Sequence, residues 1–256
     1  METSTDVIML EVAGLCQAPV CPLSFEKIEI VTKTITAAGK KVFLLADMMV
    51  TESNLDLVKK SLERMLSVNA SRIICYDFTF VVLADELGIS NRLIYAPNTL
   101  ITHSRLMEYY HQKSLAGLVI SGSLSKEEML SLCNNNQEIE MGVVLSGHRE
   151  IYRSRRRHVT AYANHNGLDI PASGFYSGYA VREKQRENKY YPLVENENGT
   201  LIYDAFVLDP SWLTEDLALK LTYGFLQRRE IDPKTYIEII NQAKKKLIMW
   251  QAGNSL

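Results

Sequence analysis

A chain of 256 residues, 46% hydrophobic and 23% charged, has the composition of a soluble globular protein with ample material for a large core, which excludes disorder as its default state. Its formal charge of −2 excludes whole-molecule attraction to nucleic acid or anionic membrane, so any such affinity has to come from a local patch. The polar, acidic start from Met1 to Asp6 precedes an apolar stretch too short for a signal peptide or a membrane span, and we expect a cytoplasmic protein without membrane contact.

In chain order, β-rich apolar runs at Val7–Val12, Lys41–Met48, Arg72–Tyr76, Arg92–Ala96, Gly117–Ser121 and Ile139–Ser146 alternate with amphipathic stretches. This is the order of parallel strands joined by helical crossovers. Leu55, Val58, Leu62, Met65 and Leu66 share one helical face after Ser53, the expected N-cap. Ser125 and Glu128 have capping-box spacing at the start of the helix after the fifth run. After Ser146 the rhythm changes. A basic segment from His148 to His165 leads to strand-like runs near Tyr179–Arg182 and Leu201–Val207, and the turn formers Glu195–Gly199 predict a hairpin with arms Tyr191–Leu193 and Leu201–Tyr203. A last strand near Tyr223–Gln227 precedes a helix that opens at Asp232-Pro233 and aligns Tyr236, Ile240, Ala243 and Leu247. No G-x-G-x-x-G follows the first strand. The pattern therefore suits a TIM-like (β/α) barrel, one α/β domain over residues 1–256 with an inserted basic loop and β-hairpin at 148–207, better than an open dinucleotide-binding sheet.

A parallel barrel carries its site at the C-terminal strand ends, which directs attention to Asp77, Asn98, Thr99, Ser121, the 147–157 segment, Arg228 and Arg229. Asp77 reads as a general base or as the N-cap of the next helix, the second being favoured. The segment His148–His158 holds five arginines, Arg149, Arg153, Arg155, Arg156 and Arg157. Their planar forks suit phosphate or carboxylate, and Tyr152 and Tyr162 offer faces on which bases could stack. An anionic small molecule or RNA is one reading of this run; a solvated loop paired with Glu195 and Glu197 is the other, weighted equally. His148 and Glu183 join Asp77 as catalytic candidates, although Glu183 beside Arg182 also reads as an exposed ion pair. Cys16, Cys21, Cys75 and Cys133 form no C-x-x-C pair, and no metal site is assigned. Neither G-x-S-x-G nor H-E-x-x-H occurs, and Cys75 sits inside an apolar run as packing.

Several blocks resemble the U32 peptidase family over nearly the whole chain. They are Ile94–Thr102, Leu118–Glu128, Gly147–Tyr162 with Ser154, Arg156 and Tyr162 in register with "HGxxCxxYSGRCxLSNY", and Arg182-Glu183 followed by Tyr190–Thr200, which resembles "YYPxxEDExGT". The resemblance implies a barrel truncated at its N-terminal side by one strand-helix unit, since Val7 begins what looks like the family's second strand. A seam is then left to other segments or to a homo- or hetero-oligomeric partner. Cluster-bearing relatives have cysteines where Glu150 and Arg157 stand here, so no iron–sulfur cluster and no other cofactor is expected. The family histidine before the motif glycine is Ser146, its "RE" is Gly122-Ser123, and its "IEGR" appears as Leu226–Arg229. Three functions follow from the resemblance. One is a subunit or accessory factor in tRNA or other RNA modification, of the uridine hydroxylation type; the others are a peptidase and a non-catalytic partner of a cluster-bearing relative.

Overall fold

The computed structural model describes residues 5–97, 100–136, 138–169, 178–186, 188–228 and 231–253, with side chains as far as residue 246. The first part alternates β1 (Val7–Glu11), α1 (Phe25–Ala37), β2 (Lys41–Ala46), α2 (Leu55–Ser67), β3 (Arg72–Cys75), α3 (Phe78–Glu86), β4 (Leu93–Tyr95), α4 (Ser104–Gln112), β5 (Gly117–Val119), α5 (Lys126–Asn134) and β6 (Glu140–Ser154). Strands β1 to β6 pair in sequence order, all parallel, and β10 (Tyr223–Leu226) pairs with β6 on its other side.

These strands are apolar on both faces because both faces are buried. Leu44, Ile73, Leu93, Leu118, Met141 and Val143 point outward into the core shared with the helices. Phe43, Leu45, Ile74, Ile94 and Ala96 form a second, inner cluster against which Tyr223 and Phe225 pack. The inner cluster shows that the sheet curls. The rings of Phe43 on β2 and Tyr223 on β10 lie 5.2 Å apart, edge to face, although β3, β4, β5 and β6 separate their strands in the sheet. Near the N-terminal strand ends, Arg72 on β3 reaches Glu140 on β6 at 2.6 Å, and the Tyr223 hydroxyl donates to the same carboxylate at 2.8 Å. Burial pushes the Glu140 carboxyl up, but the hydrogen bonds from Arg72 and Tyr223 outweigh it and hold the group below its ordinary range.

The result is an α/β fold around a curled partial barrel. Among the described residues β1 and β10 do not pair with each other, so the expected seam lies between them. On the last helix, α8 (Pro233–Gly253), Lys244 reaches both carboxylate oxygens of Asp6 at 2.8 Å and ties that helix to the start of β1. No helix among the described residues is long and apolar enough to cross a membrane.

Strand β6 extends beyond the expected end at Ser146 and leaves the parallel sheet at Gly147. Its φ is +124°, and a Cβ there would stand 2.6 Å from the Gln227 Cβ, so the crossing admits only glycine. Residues 147–154 then pair antiparallel with β9 (Gly199–Leu208), which pairs with β8 (Tyr190–Asn196) and, through it, β7 (Tyr179–Arg182). The basic segment is therefore not a loop, as its charge suggested. It is half strand, because β9 supplies backbone partners from some fifty residues away, and half helix, α6 (His158–Asn166).

The expected hairpin forms, turning through Glu197-Asn198. Gly199 has φ +121°, and a Cβ on it would fall 2.0 Å from the Ser154 carbonyl oxygen. The hairpin is fastened over the barrel mouth by Asn196 Nδ2 donating to the Gln17 carbonyl at 2.7 Å and by Gln17 Nε2 donating to the Asn198 carbonyl at 2.6 Å. The Ser125–Glu128 capping box and the Asp232 cap are present. Ser53 is not the cap of α2. A 3-10 turn over Glu52–Asn54 intervenes, and the Asn54 side chain accepts from the Thr51 N–H at 2.7 Å. The remaining short helix, α7 (Glu215–Ala218), precedes β10.

Candidate functional site

Alternation along β2 turns Phe43 and Leu45 inward, and the next position in that series is Asp47, 5% exposed. Its Oδ1 accepts from the Gln17 N–H at 2.8 Å. Irregularities in the β6–β9 ladder on either side of Glu150 let Glu150 and Arg153, three residues apart, meet as they could not on a regular strand. Arg153 donates to Glu150 through Nε at 2.8 Å and Nη2 at 2.7 Å; Nη2 also lies 3.6 Å from Asp47 Oδ2, and Nη1 donates to the Asp47 carbonyl. Its guanidinium sits 5.5 Å from the centre of the Tyr76 ring. Burial works against this charge, but the hydrogen bonds and charge of Glu150, then the charge of Asp47, outweigh it, so Arg153 is held more firmly protonated than a free arginine.

A cavity of about 340 Å³ opens beside this cluster, with Met48, Tyr76, Pro97 and Tyr152 in its walls. Three carboxylates, Asp47, Asp77 and Glu150, line it together with one guanidinium, that of Arg153. A phosphate placed there would meet a net negative field. Asp77 is engaged with the backbone: Oδ1 accepts from the Thr79 N–H and Oδ2 from the Val50 N–H, each at 2.9 Å, which makes it the N-cap of α3. Ser146, placed on the inner side by the alternation of β6, is 1% exposed, and its hydroxyl has no hydrogen-bond partner among the described residues.

The remaining sequence candidates separate. His148 is buried, with Nδ1 2.9 Å from the Asp204 carbonyl oxygen. Arg149 bridges the Gly122 carbonyl at 3.1 Å and Asp204 Oδ2 at 3.2 Å. Ser154 Oγ accepts from the Arg156 N–H at 3.0 Å. Arg155, Arg156 and Arg157 are exposed at the turn from β6 into α6. Tyr152 and His158, in contact through the phenol oxygen and Nε2 at 2.9 Å, bracket them, and Tyr162 stands 65% exposed on α6. Arg157 comes within 4.0 Å of Glu195, the partner expected for a solvated loop.

Glu195 itself has a different task. It is fully buried and accepts from the Val159 N–H at 2.7 Å, the Thr160 N–H at 2.9 Å, and the Thr160 and Thr200 hydroxyls at 2.6 and 2.7 Å, which satisfies the start of α6. Arg182 ends the outer strand β7, and Glu183 pairs with Arg186 at 3.3 Å on the exposed surface. Arg228 is exposed just after β10. Asn98, Thr99 and Arg229 lie outside the described residues. Sequence reasoning passed over Asp47 and Tyr76, although both end apolar runs on the inward-facing register.

The model of peptidase family U32 matches residues 16–214, well over half of the chain. The chain belongs to peptidase family U32. Among curated proteins nothing matches. Among solved structures, this U32 chain is similar to one described as the structure of the U32 peptidase Mk0906. The TM-score is 0.51 at 14% identity, covering 87% of this chain and 84% of that one. At that identity the likeness is one of fold.

Proposed function

We propose that this U32 chain is an RNA-binding subunit or accessory factor in RNA modification, of the tRNA uridine hydroxylation type, acting in the cytoplasm. Its partial barrel is read as a TIM-like (β/α) barrel short of one strand-helix unit. The observation that carries the proposal is the exposed run Arg155–Arg157 beside a cavity walled by Tyr76 and Tyr152. Arg149 and Arg153 are already engaged with protein oxygens, so phosphate contacts fall to the other three. The acidic cavity suits an uncharged base stacked on tyrosine rather than a phosphate or another small anion.

This reading includes no iron–sulfur centre. Glu150 is committed to Arg153, and burial pushes the Cys16 and Cys75 thiols up, away from the thiolate a cluster requires. A second U32-like chain would bring the reactive group. The peptidase reading rests on the family name and on the description of the similar structure. No serine, threonine or cysteine side chain hydrogen-bonds a histidine among the described residues.

The test is tRNA binding by fluorescence anisotropy across a salt series. Each of Arg155→Gln, Arg156→Gln and Arg157→Gln should flatten the log–log salt slope by about 0.7 to 0.9 for every phosphate that the arginine neutralises. Slopes unchanged in all three variants, together with turnover of a protein substrate, would reverse the reading in favour of the peptidase.

A further inference from the structure

At the opposite end of the sheet, where β6 and β10 begin, a second cavity of about 290 Å³ lies among Cys133, Asn136, Met141, Leu219, Lys220 and Thr222. Its polar lining is unusual in being rich in donors. The Asn136 amide nitrogen is sealed from solvent and finds no hydrogen-bond acceptor among the described residues. A buried N–H group in that state calls for an acceptor from outside the chain. The Thr222 hydroxyl oxygen accepts from the Met141 N–H at 3.3 Å, which leaves its own proton available to donate. Lys220 follows α7 and makes no salt bridge among the described residues. Burial pushes the Cys133 thiol up to about 11, and the Lys220 charge is near enough to act against that rise. No carboxylate lines the cavity, in contrast to the barrel mouth, while Ile139, Met141 and Leu219 give it apolar walls.

We propose that this cavity binds a small oxyanion, a phosphate or carboxylate group, through the Lys220 ammonium, the Asn136 amide and the Thr222 hydroxyl. The apolar walls accommodate the short carbon chain of the molecule that carries it. The site stands apart from Arg155–Arg157 and does not depend on the RNA reading.

Calorimetric titration of the full chain with inorganic phosphate, and separately with butyrate, tests the proposal. Both are run in the wild type and in a triple variant with Arg155, Arg156 and Arg157 changed to glutamine, which removes phosphate binding at the rim. Saturable binding of either probe that persists in the triple variant is expected, and the probe that binds tells phosphate from carboxylate. Lys220→Ala and Asn136→Asp should each weaken it by about tenfold or more, the worth of one charge-assisted hydrogen bond. Lys220→Ala, at an exposed position, should keep the wild-type unfolding midpoint, so a weaker affinity reports on the site. No saturable binding of either probe, or binding indifferent to both substitutions, would overturn the proposal.

Discussion

Arg153→Met removes the cation from the mouth cluster while keeping most of the aliphatic stem. Glu150 then loses both of its short donors, and Asp47 loses a guanidinium 3.6 Å away, with the two carboxylate side chains only 13% and 7% exposed. Removing one member of a buried ionic pair typically costs about 3–5 kcal/mol, because the remaining charge is left without compensation. The upper part of that range applies if both carboxylates stay ionised. Glu150→Gln is milder. Arg153 keeps the Asp47 carboxylate and carbonyl, and the loss should be about 1.5–3 kcal/mol, the worth of a hydrogen bond to a charged group. Since each substitution destroys the same contact, the double variant should cost less than the sum by about 2 kcal/mol. Urea unfolding followed by circular dichroism measures all three. A loss below about 1 kcal/mol for Arg153→Met, or simple additivity in the cycle, would refute the idea that these carboxylates hold the guanidinium. The salt slope of RNA binding should be unchanged in the folded variant, since this fork is occupied within the protein.

Gly199→Ala should destabilise by about 2 kcal/mol or more, because φ +121° is strained for alanine and its Cβ meets the Ser154 carbonyl; a thermal melt within a degree of wild type would contradict the close approach. Glu195→Gln should accelerate hydrogen exchange at the Val159 and Thr160 amides, which lose a charged acceptor, while amides in α2 stay protected. Burial pushes the Glu195 carboxyl up, but hydrogen bonds from the Thr160 and Thr200 hydroxyls and the α6 amides outweigh it, so its folded pKa lies below the ordinary value of 4.5. Its contribution is therefore complete above that value and lost as the pH falls through the lower folded pKa. Urea midpoints measured downward from roughly pH 6 should fall less steeply in Glu195→Gln than in wild type, and identical acid profiles would exclude this linkage.

The first five strand–helix units were legible because local and tertiary demands coincide there. The two-sided apolar runs can only be buried strands, and Ser125 with Glu128 or Asp232 with Pro233 carry their capping chemistry within one turn. Ser53 shows the limit of that reasoning: a single turn of 3-10 helix, invisible to periodicity, moved the start of α2 and gave its cap to other residues. Asp77 was legible in both of its roles, and the backbone geometry at Val50 and Thr79 places it in the capping one.

What the sequence by itself determined is the chain's family, the parallel strand order, the hairpin and the presence of an arginine-rich segment, since each depends on neighbours within about ten residues or on a matching block. The tertiary structure alone decided how those arginines divide. A strand distant in sequence, β9, pairs with residues 147–154 and, through irregularities around Glu150, brings Glu150 to Arg153 while Arg155–Arg157 remain in solvent. Charge composition is the same in either arrangement. Only the position of Asp47, Glu150 and Glu195 in space determines which arginines are neutralised and which remain free to meet a phosphate.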